Sequence, residues 1–250
     1  MKRLRVSVIT VSRNSAGTIG ASLRSVKDQS WPHIEHIVVD GASTDTTLDV
    51  VATEGSHVAK IVSEPDRGIY DAMNKGIRLA TGDVIAFLNA DDFYSNPTVI
   101  ASVAEKLQTN ELSAVLGDVA FFNGSPDRVV RRYRAAHFRP DRIAWGWMPA
   151  HPGLFVRARV FAETGLFSTE YRIAGDFEWV ARAFRNRALT YAHIPEVLVM
   201  MRTGGVSTGG VRNTILLNRE VMRACRALGI RTNWLMLLSK YPRKVLEFLP

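Results

Sequence analysis

The residues best suited to chemistry in this chain are an amide and two carboxylates in the motif Asn89-Ala90-Asp91-Asp92. They follow directly on an apolar run, 84–88, which predicts a buried strand ending at the carboxyl edge of a sheet. Open α/β sheets bind their ligands at that edge. Carboxylate oxygens bind Mg²⁺ and Mn²⁺ and leave coordination positions for phosphate oxygens. We therefore expect Asp91 to hold Mg²⁺ or Mn²⁺ beside a diphosphate, with a turn or a helix cap before Pro97 as the structural alternative.

Strands and helices alternate along the first hundred residues, as judged from the spacing of apolar side chains. Strands are predicted at 6–11, 37–40, 59–62 and 84–88. Helices are predicted from 18, from 46 and over 69–80, and polar loops follow the strands. This alternation favours a parallel, doubly wound sheet. The second half is less regular, with strands predicted at 114–122 and 154–156 and helices at 99–107, 177–184, 211–228 and from 234.

Length and composition set broad limits on the protein. A chain of 250 residues can form one large domain. Its single cysteine, Cys225, excludes an internal disulfide and suits a reducing compartment. We see neither a signal peptide nor a run of about 20 apolar residues, so we expect a cytoplasmic protein.

The net charge of +8 is concentrated near the end of the chain. Residues 202–250 contain nine Lys and Arg against two Glu, a net of +7. Such a basic segment binds nucleic acid or an anionic membrane surface, or is simply a solvated helix face. Residues 231–250 also mix apolar, aromatic and basic side chains, as a helix lying in a membrane interface does. A helix packed on the body of the protein, or on a second subunit of a homodimer, is the other interpretation.

Four motifs occur in an order that resembles the family 2 glycosyltransferases, the inverting group with the GT-A fold. They are ITVSRN at 9–14, VVDGASTD at 38–45, EPDRGIYDAMNKG at 64–76 and NADD at 89–92. The sequence is most similar to bacterial members that build surface polysaccharides or glycolipids. Beyond about residue 120 the resemblance rests on His151, Gly175-Asp176 and residues 204–207.

The resemblance implies a Rossmann-like α/β fold of the GT-A type, with a mixed central sheet and a helical C-terminal segment. One domain would cover 1–210, with a nucleotide-sugar half at 1–118 and an acceptor half at 119–210. A basic helical tail would follow at 211–250. The implied enzyme is of the hexosyltransferase type. It moves a sugar with inversion from a nucleotide-sugar donor, a UDP-sugar, to a saccharide or lipid-linked saccharide. It would work at the inner face of the cell membrane and bind no nucleic acid.

The resemblance also assigns roles to individual residues. The donor would contact Thr10, Ser12, Asn14, Asp40, Asp66, Arg67, Asn74, Asn89, Ala90 and Asp91. Asp40 would accept a hydrogen bond from the base, and Asp91 would hold the metal. The acceptor or the phosphates would contact Trp147, His151, Arg202 and Ser207.

Asp176 is the predicted catalytic base, because an inverting transfer needs a carboxylate to take the proton of the attacking hydroxyl. Glu178 is the reserve candidate, and a helix cap is the structural alternative for Asp176. Two departures from the family pattern stand out. Asn89 replaces the first aspartate of the Asp-X-Asp motif, and Arg13 replaces an aromatic residue.

Two other classes of protein compete with this prediction. A sugar-nucleotide nucleotidyltransferase would also use an α/β sheet and a metal, but it normally has a glycine-rich loop after the first strand, which residues 12–17 lack. A basic nucleic-acid-binding protein would account for the charged tail. It would leave the acidic residues at the strand ends without a purpose.

Overall fold

A computed structural model describes residues 3–185, 189–204 and 210–240. In chain order its strands are β1 (Val6–Ser12), β2 (Ile34–Asp40), β3 (Val58–Ser63), β4 (Val84–Phe87), β5 (Phe93–Tyr94), β6 (Ala114–Asn123), β7 (Ser125–Tyr133), β8 (Leu154–Arg157) and β9 (Tyr191–Arg202). The helices are α1 (Ile19–Lys27), α2 (Thr47–Glu54), α3 (Ile69–Leu79), α4 (Val99–Asn110), α5 (Ala158–Thr164), α6 (Gly175–Phe184), α7 (Val211–Ala227) and α8 (Trp234–Leu238).

The first half of the chain forms a parallel sheet. Strands pair in the order β3-β2-β1-β4, and every pairing among them is parallel. The intervening helices are the crossovers that parallel pairing requires. The predicted alternation of strands and helices is therefore confirmed for this half. Because the strands run the same way, the loops after β1, β2 and β4 open at one edge.

The strands β5 to β9 extend the same sheet with mixed pairing. β8 lies antiparallel between β4 and β6, β9 runs parallel to β6, and β5 closes the edge antiparallel to β9. β7 folds back on β6 as a hairpin. The expected mixed central sheet is confirmed. The proposed boundary at residue 118 falls inside β6, so the two halves share that strand.

Three strands and one α-helix of the described residues were not predicted: β5, β7, β9 and α5. β9 contains Pro195 and Glu196 where the β6–β9 register shifts, and this interrupts its apolar pattern. β7 is exposed over its first half and rich in arginine, so it lacks the alternation of a half-buried strand. β5 spans two residues and α5 seven, too short for periodicity to show.

Both faces of the sheet are buried. Ile9 and Phe87 point into a core shared with α3 and α6, whereas Val8 and Leu88 point into a core shared with α4. Successive strand residues thus alternate between two apolar layers. This burial on both sides explains why β1 and β4 read as nearly unbroken apolar runs.

The C-terminal region contributes α7 and α8. Within 3–185, 189–204 and 210–240, no helix is both long and apolar enough to cross a membrane. The predicted helix from residue 234 is confirmed over Trp234–Leu238. The remainder of the predicted interfacial segment, 241–250, lies outside the described residues.

Gly76 allows α3 to approach β1 closely, so we predict that Gly76→Ala destabilises the protein. A Cβ at Gly76 would lie 2.4 Å from Ile9 Cγ2. Overpacking of a core typically costs about 1–3 kcal/mol, which exceeds the gain of up to about 1 kcal/mol in helix propensity. The melting temperature should fall by about 2–4 °C per kcal/mol. Gly17→Ala is the control, because a Cβ there meets nothing within 4 Å. Equal melting temperatures of the two variants would contradict the prediction.

Candidate active site

The carboxyl ends of β1 and β2 bring Ser12 and Asp40 together. The two are register partners, and the Ser12 hydroxyl donates to Asp40 Oδ1 over 3.1 Å. Asp40 also accepts from the backbone N–H and hydroxyl of Ser43 and from the Ser63 hydroxyl. Burial acts to raise the pKa of Asp40, but these hydrogen bonds outweigh it and hold the pKa below its usual value. Asp40 is thus a buried carboxylate that organises its loop, and a nucleotide base would share it with these donors.

Asn14 joins the loop after β1 to the loop after β2 through hydrogen bonds. Its backbone is left-handed, with φ 50°, a conformation that asparagine adopts more readily than most residues. Its Oδ1 accepts from the N–H of Thr44 at 2.9 Å, and its own N–H donates to Ser43 Oγ at 2.8 Å. Thr10 lies deeper, fully buried, with its hydroxyl 2.9 Å from His36 Nε2. The predicted contacts of Thr10, Ser12 and Asn14 with a nucleotide stay predictions.

The turn before α3 carries Asp66 and Arg67. Asp66 Oδ1 accepts from the N–H of Gly68 at 3.0 Å, and Asp66 Oδ2 lies 2.5 Å from the position of a Cβ at Gly41. Gly41, which follows Asp40, admits this carboxylate because it has no side chain. The Arg67 side chain is 82% exposed and 3.8 Å from Asp71 Oδ1. Arg67 is therefore accessible to an anionic ligand at the strand-end loops, as its predicted role requires.

Asn74 has a structural role in this arrangement. It is buried in α3, where its Nδ2 donates to the carbonyl of Phe167 at 2.8 Å and its Oδ1 accepts from the Phe167 N–H at 3.0 Å. Both ends of the amide are used to tie α3 to the segment before α6. A contact with the nucleotide sugar, as predicted, would replace one of these bonds.

The acidic motif follows β4 at the same edge of the sheet. Asn89 Nδ2 donates to Asp92 Oδ2 at 3.0 Å, Ala90 packs into the interior and Asp91 is half-buried. Burial and the charge of Asp91 raise the pKa of Asp92 to about 8. Asp92 is therefore largely protonated at neutral pH.

The oxygens of this motif fit a hard divalent cation. Asn89 Oδ1 and Asp92 Oδ1 are buried and have no hydrogen-bond partner among the residues that the structure describes. Together with the Asp91 carboxylate they form a set of oxygen donors of the kind that Mg²⁺ and Mn²⁺ bind. Within residues 3–185, 189–204 and 210–240, no three His, Cys, Asp or Glu side chains cluster in a way that suits a metal. A cation here would thus depend on Asp91, the neighbouring oxygens and oxygens of a bound ligand.

Asp176 lies in the first turn of α6 and is held on two sides. Its Oδ1 accepts from the N–H of Phe177 at 2.8 Å and from the hydroxyl of Tyr70 at 3.2 Å. The same hydroxyl is 2.6 Å from the carbonyl of Ile173. Burial raises the pKa of Asp176 to about 6, although these two hydrogen bonds oppose the rise. A carboxylate with this pKa is ionised at neutral pH and is still basic enough to take a proton.

Two further residues set the position of Asp176. Glu220 of α7 is buried and accepts from three consecutive N–H groups, those of Arg172, Ile173 and Ala174, over 2.8–2.9 Å. An anion at this point stabilises the start of α6. A Cβ at Gly175 would lie 2.7 Å from the ring of Tyr70. The glycine before Asp176 is therefore what lets Tyr70 reach it.

Glu178, the reserve candidate for the base, is bonded within the protein. Its two oxygens accept from Arg182 Nε at 2.8 Å and Arg182 Nη2 at 2.9 Å. Arg182 also donates to the carbonyls of Thr164 and Leu166. Because Glu178 is buried in this ion pair, the geometry favours Asp176 as the base.

Three of the four residues predicted to contact the acceptor or the phosphates lie within the part of the chain that the structure describes. His151 stacks on Phe87 at 4.9 Å between ring centroids, and burial lowers its pKa to about 4, so it is neutral at physiological pH. Trp147 is half-buried. Arg202, at the end of β9, is exposed, and its guanidinium lies 5.2 Å from the centroid of the Phe122 ring. Ser207 lies outside the described residues.

A cavity of about 160 Å³ lies between the turn before α3 and the segment before α6. It is lined by Arg67, Gly68, Ile69, Tyr70, Asp71, Thr169, Glu170, Tyr171 and Arg172. Tyr70 belongs both to this lining and to the contacts of Asp176. The cavity therefore adjoins the predicted base.

Solved structures with a similar arrangement of strands and loops include glycosyltransferases of the GT-A fold. S. aureus TarS 1–349 in complex with UDP superposes with a TM-score of 0.70 at 21% identity, covering 90% of this chain and 65% of that one. The present chain thus spans slightly less than two thirds of TarS 1–349. The mannosyltransferase PcManGT from Pyrobaculum calidifontis, solved with GDP-Man and Mn²⁺, gives a TM-score of 0.63 at 18% identity over 98% of this chain and 81% of that one.

Sequence comparison identifies the family. Residues 7–188 match the family described as Glycosyl transferase family 2. A PGL/p-HBAD biosynthesis glycosyltransferase of Mycobacterium tuberculosis is 31% identical over 246 residues, which cover 96% of this chain and 91% of that protein. An uncharacterised glycosyltransferase of the same species is 34% identical over 184 residues, covering 71% and 68%. The chain belongs to glycosyl transferase family 2 and is a transferase, as the four motifs predicted.

Sequence reasoning gave no role to Tyr70 or Glu220. Tyr70 lies within the motif at 64–76, so its position in the family pattern was a signal that could have been used. The sequence contains no such signal for Glu220, because Glu220 lies 46 to 48 residues from the groups that it binds.

We predict that Glu220→Gln destabilises the protein. An amide cannot accept with its nitrogen and carries no charge, so the three N–H groups lose part of their partner. Leaving buried donors unsatisfied costs about 1–3 kcal/mol each, and we expect a loss of about 2–4 kcal/mol in the free energy of unfolding. Urea unfolding followed by circular dichroism measures it. Glu163→Gln, on the exposed surface of α5, is the control and should stay within about 0.5 kcal/mol. Equal stability of both variants would show that Glu220 does not hold this turn.

Proposed function

We propose that the enzyme transfers a sugar with inversion from a UDP-sugar to a hydroxyl group of a saccharide or a lipid-linked saccharide. The observation that carries this proposal is Asp176, a half-buried carboxylate with a pKa of about 6, whose hydrogen-bond partner Tyr70 lines a cavity. The division into a donor half at 1–118, an acceptor half at 119–210 and a basic tail is part of the proposal.

In the proposed reaction Asp176 takes the proton of the acceptor hydroxyl while the oxygen attacks C1 of the donor sugar. The bond between C1 and the diphosphate breaks on the opposite face, and the nucleoside diphosphate leaves. Tyr70 keeps one oxygen of Asp176 in place through its hydroxyl. The other oxygen, Oδ2, is then the one that meets the acceptor.

The departing diphosphate develops negative charge, and two groups of this chain are suited to it. Arg67 presents an exposed guanidinium at the turn before α3. Asp91, with Asn89 Oδ1 and Asp92 Oδ1, would hold Mg²⁺ or Mn²⁺. Such an ion, when bound, neutralises the charge of the leaving group.

Uridine as the base is supported by the chemistry at Asp40, since uracil N3–H needs an acceptor and Asp40 is an ionised carboxylate at the end of β2. TarS, solved with UDP and with UDP-GlcNAc, shares the fold. PcManGT, which also shares it, is solved with GDP-Man, so a comparison of UDP- and GDP-sugars belongs in the test.

A lipid-linked acceptor is supported by the mycobacterial relative, whose name assigns it to PGL/p-HBAD biosynthesis. We place the reaction on the inner face of the cell membrane, where a water-soluble donor can meet such an acceptor. Trp147, His151 and Arg202 remain the proposed contacts of acceptor or phosphate. His151 would act there as a neutral group, because burial lowers its pKa to about 4.

Asp176→Asn should abolish transfer and keep donor binding. Removing a general base typically costs a factor of about 10²–10⁴ in rate, while the folded structure and the donor loops are untouched. Turnover of a UDP-sugar donor and the Kd for UDP are the measurements. Asp49→Asn, an exposed aspartate of α2, is the matched control. Near wild-type turnover in Asp176→Asn would refute the assignment.

The pH dependence gives a second readout for the same residue. Since Asp176 must be ionised to accept a proton, kcat should fall as the pH drops below about 6. In Tyr70→Phe this limb should move to higher pH, because the hydrogen bond from Tyr70 favours the ionised form. An unchanged limb in Tyr70→Phe would mean that another group controls the profile.

Asp91→Ala should remove metal-dependent nucleotide binding. We expect UDP with Mn²⁺ to raise the melting temperature of the wild-type protein by roughly 5–10 °C at a hundredfold excess over Kd, by mass action. UDP without metal, or GDP with Mn²⁺, should raise it less. In Asp91→Ala the effect of Mn²⁺ should vanish, whereas Asp49→Ala should behave like wild type. Unchanged UDP affinity of Asp91→Ala in calorimetry with Mn²⁺ would contradict this role.

A further inference from the structure

The outer surface of α7 and α8 contains a basic cleft that the reaction does not use. Its volume is about 290 Å³, and it is lined by Arg219, Met222, Arg223, Arg226 and Trp234. We call this set of residues the arginine cleft. The three arginines recur at a spacing of four and three residues, which places them on one face of α7.

The positive charge of the arginine cleft is poorly neutralised. Arg223 lies over the ring of Tyr171 at 4.2 Å and is 3.9 Å from the Glu170 carboxylate, itself highly exposed. Arg219 and Arg226 make no ion pair within the part of the chain that the structure describes. The acid of α7, Glu220, is buried against the segment before α6 instead. Like charges held at this spacing repel one another, so an anion in the cleft would relieve that repulsion.

Beside the arginine cleft, α8 presents exposed apolar side chains, those of Trp234, Leu235 and Leu238, which we call the apolar rim. The helix itself is packed on the body of the protein. Leu237 is fully buried and, with Lys240, packs against Gly146. The Asn233 side chain caps α8 by accepting from the N–H of Met236 at 2.9 Å. With α8 fixed in this way, Trp234, Leu235 and Leu238 stay 45%, 82% and 48% exposed. Tryptophan and leucine beside arginine are the side chains that interfacial helices place at a membrane surface.

We propose that α7 and α8 dock on an anionic lipid bilayer. One lipid phosphate would occupy the arginine cleft, and Trp234, Leu235 and Leu238 would enter the interface. The cleft and these three side chains together are the docking face. The charge complementarity of three arginines and a phosphate specifies the occupant. The exposed apolar rim distinguishes a bilayer from a soluble anion. The surface extends the predicted basic segment at 231–250 to α7.

The arginine cleft contacts the wall of the cavity that adjoins the predicted base. Arg223 donates to the carbonyl of Glu170 at 2.9 Å, and Glu170 and Tyr171 line the cavity next to Tyr70. Docking would therefore bring that cavity close to the membrane. That docking would present the cavity to a lipid-linked acceptor rests on the proposed function, whereas the docking itself does not.

Flotation of the full chain with vesicles tests the docking without donor or acceptor. The protein should bind vesicles of phosphatidylcholine mixed with phosphatidylglycerol and should not bind phosphatidylcholine alone. The double variant Arg219→Gln, Arg226→Gln should bind at least about tenfold more weakly, since each basic residue near an anionic surface contributes appreciably to binding. This loss should shrink at high salt. Leu235→Ser should weaken binding at both low and high salt.

A second double variant, Arg78→Gln, Arg159→Gln, removes the same charge from exposed positions of α3 and α5 and is the matched control. An equal loss of vesicle binding in this control would show that net charge alone accounts for the effect, and it would overturn the proposal. So would equal binding of both vesicle types. Inorganic phosphate that stabilises wild type but not the Arg219→Gln, Arg226→Gln variant, without vesicle binding, would assign the cleft to a soluble anion. Melting temperatures verify folding, and loss of transfer in Asp176→Asn leaves the docking result unaffected.

Discussion

The contact between Tyr70 and the turn before α6 joins the proposed donor loops, those after β1 and β2, to the predicted base. The ring of Tyr70 fills the space beside Gly175, and its hydroxyl reaches Ile173 and Asp176. The turn that leads into Tyr70 places Asp66 against Gly41, next to Asp40. One short segment therefore sets the position of the proposed donor loops and the predicted base together. A side chain at Gly175 would disturb both, which explains why glycine precedes Asp176 in this chain.

The acidic motif, the proposed metal site, combines several oxygen donors with little charge. Asn89 replaces a carboxylate with an amide, and burial raises the pKa of Asp92 to about 8. Asp91 then carries most of the charge at neutral pH, while two buried oxygens stay without partners in the described structure. A weakly charged site of this kind would gain cation affinity chiefly from a bound diphosphate. Donor and cation would accordingly bind together rather than in sequence.

Local pattern predicted the first half of the fold well and the second half only in part. In β1 to β4, burial on both faces produces apolar runs, and the polar residues at their ends mark the site. The family motifs lie in that half, so Asp40 and Asp91 could be named from the sequence. β9 could not be predicted, because its pairing with β6 is long-range and interrupted at Pro195. The role of Glu220 could not be predicted for the same reason, because only the packing of α7 on α6 gives it a function.

The two faces of helix α7 make different contacts. Inward, Glu220 binds the three N–H groups before α6 and so fixes the turn that carries Asp176. Outward, Arg219, Arg223 and Arg226 form the proposed docking face. A helix that is held on one side and bound to a surface on the other can transmit little internal motion, since its core contacts are close-packed. The membrane and the base would thus keep a constant separation, so the enzyme's own geometry would set how far above the membrane surface an acceptor hydroxyl must lie.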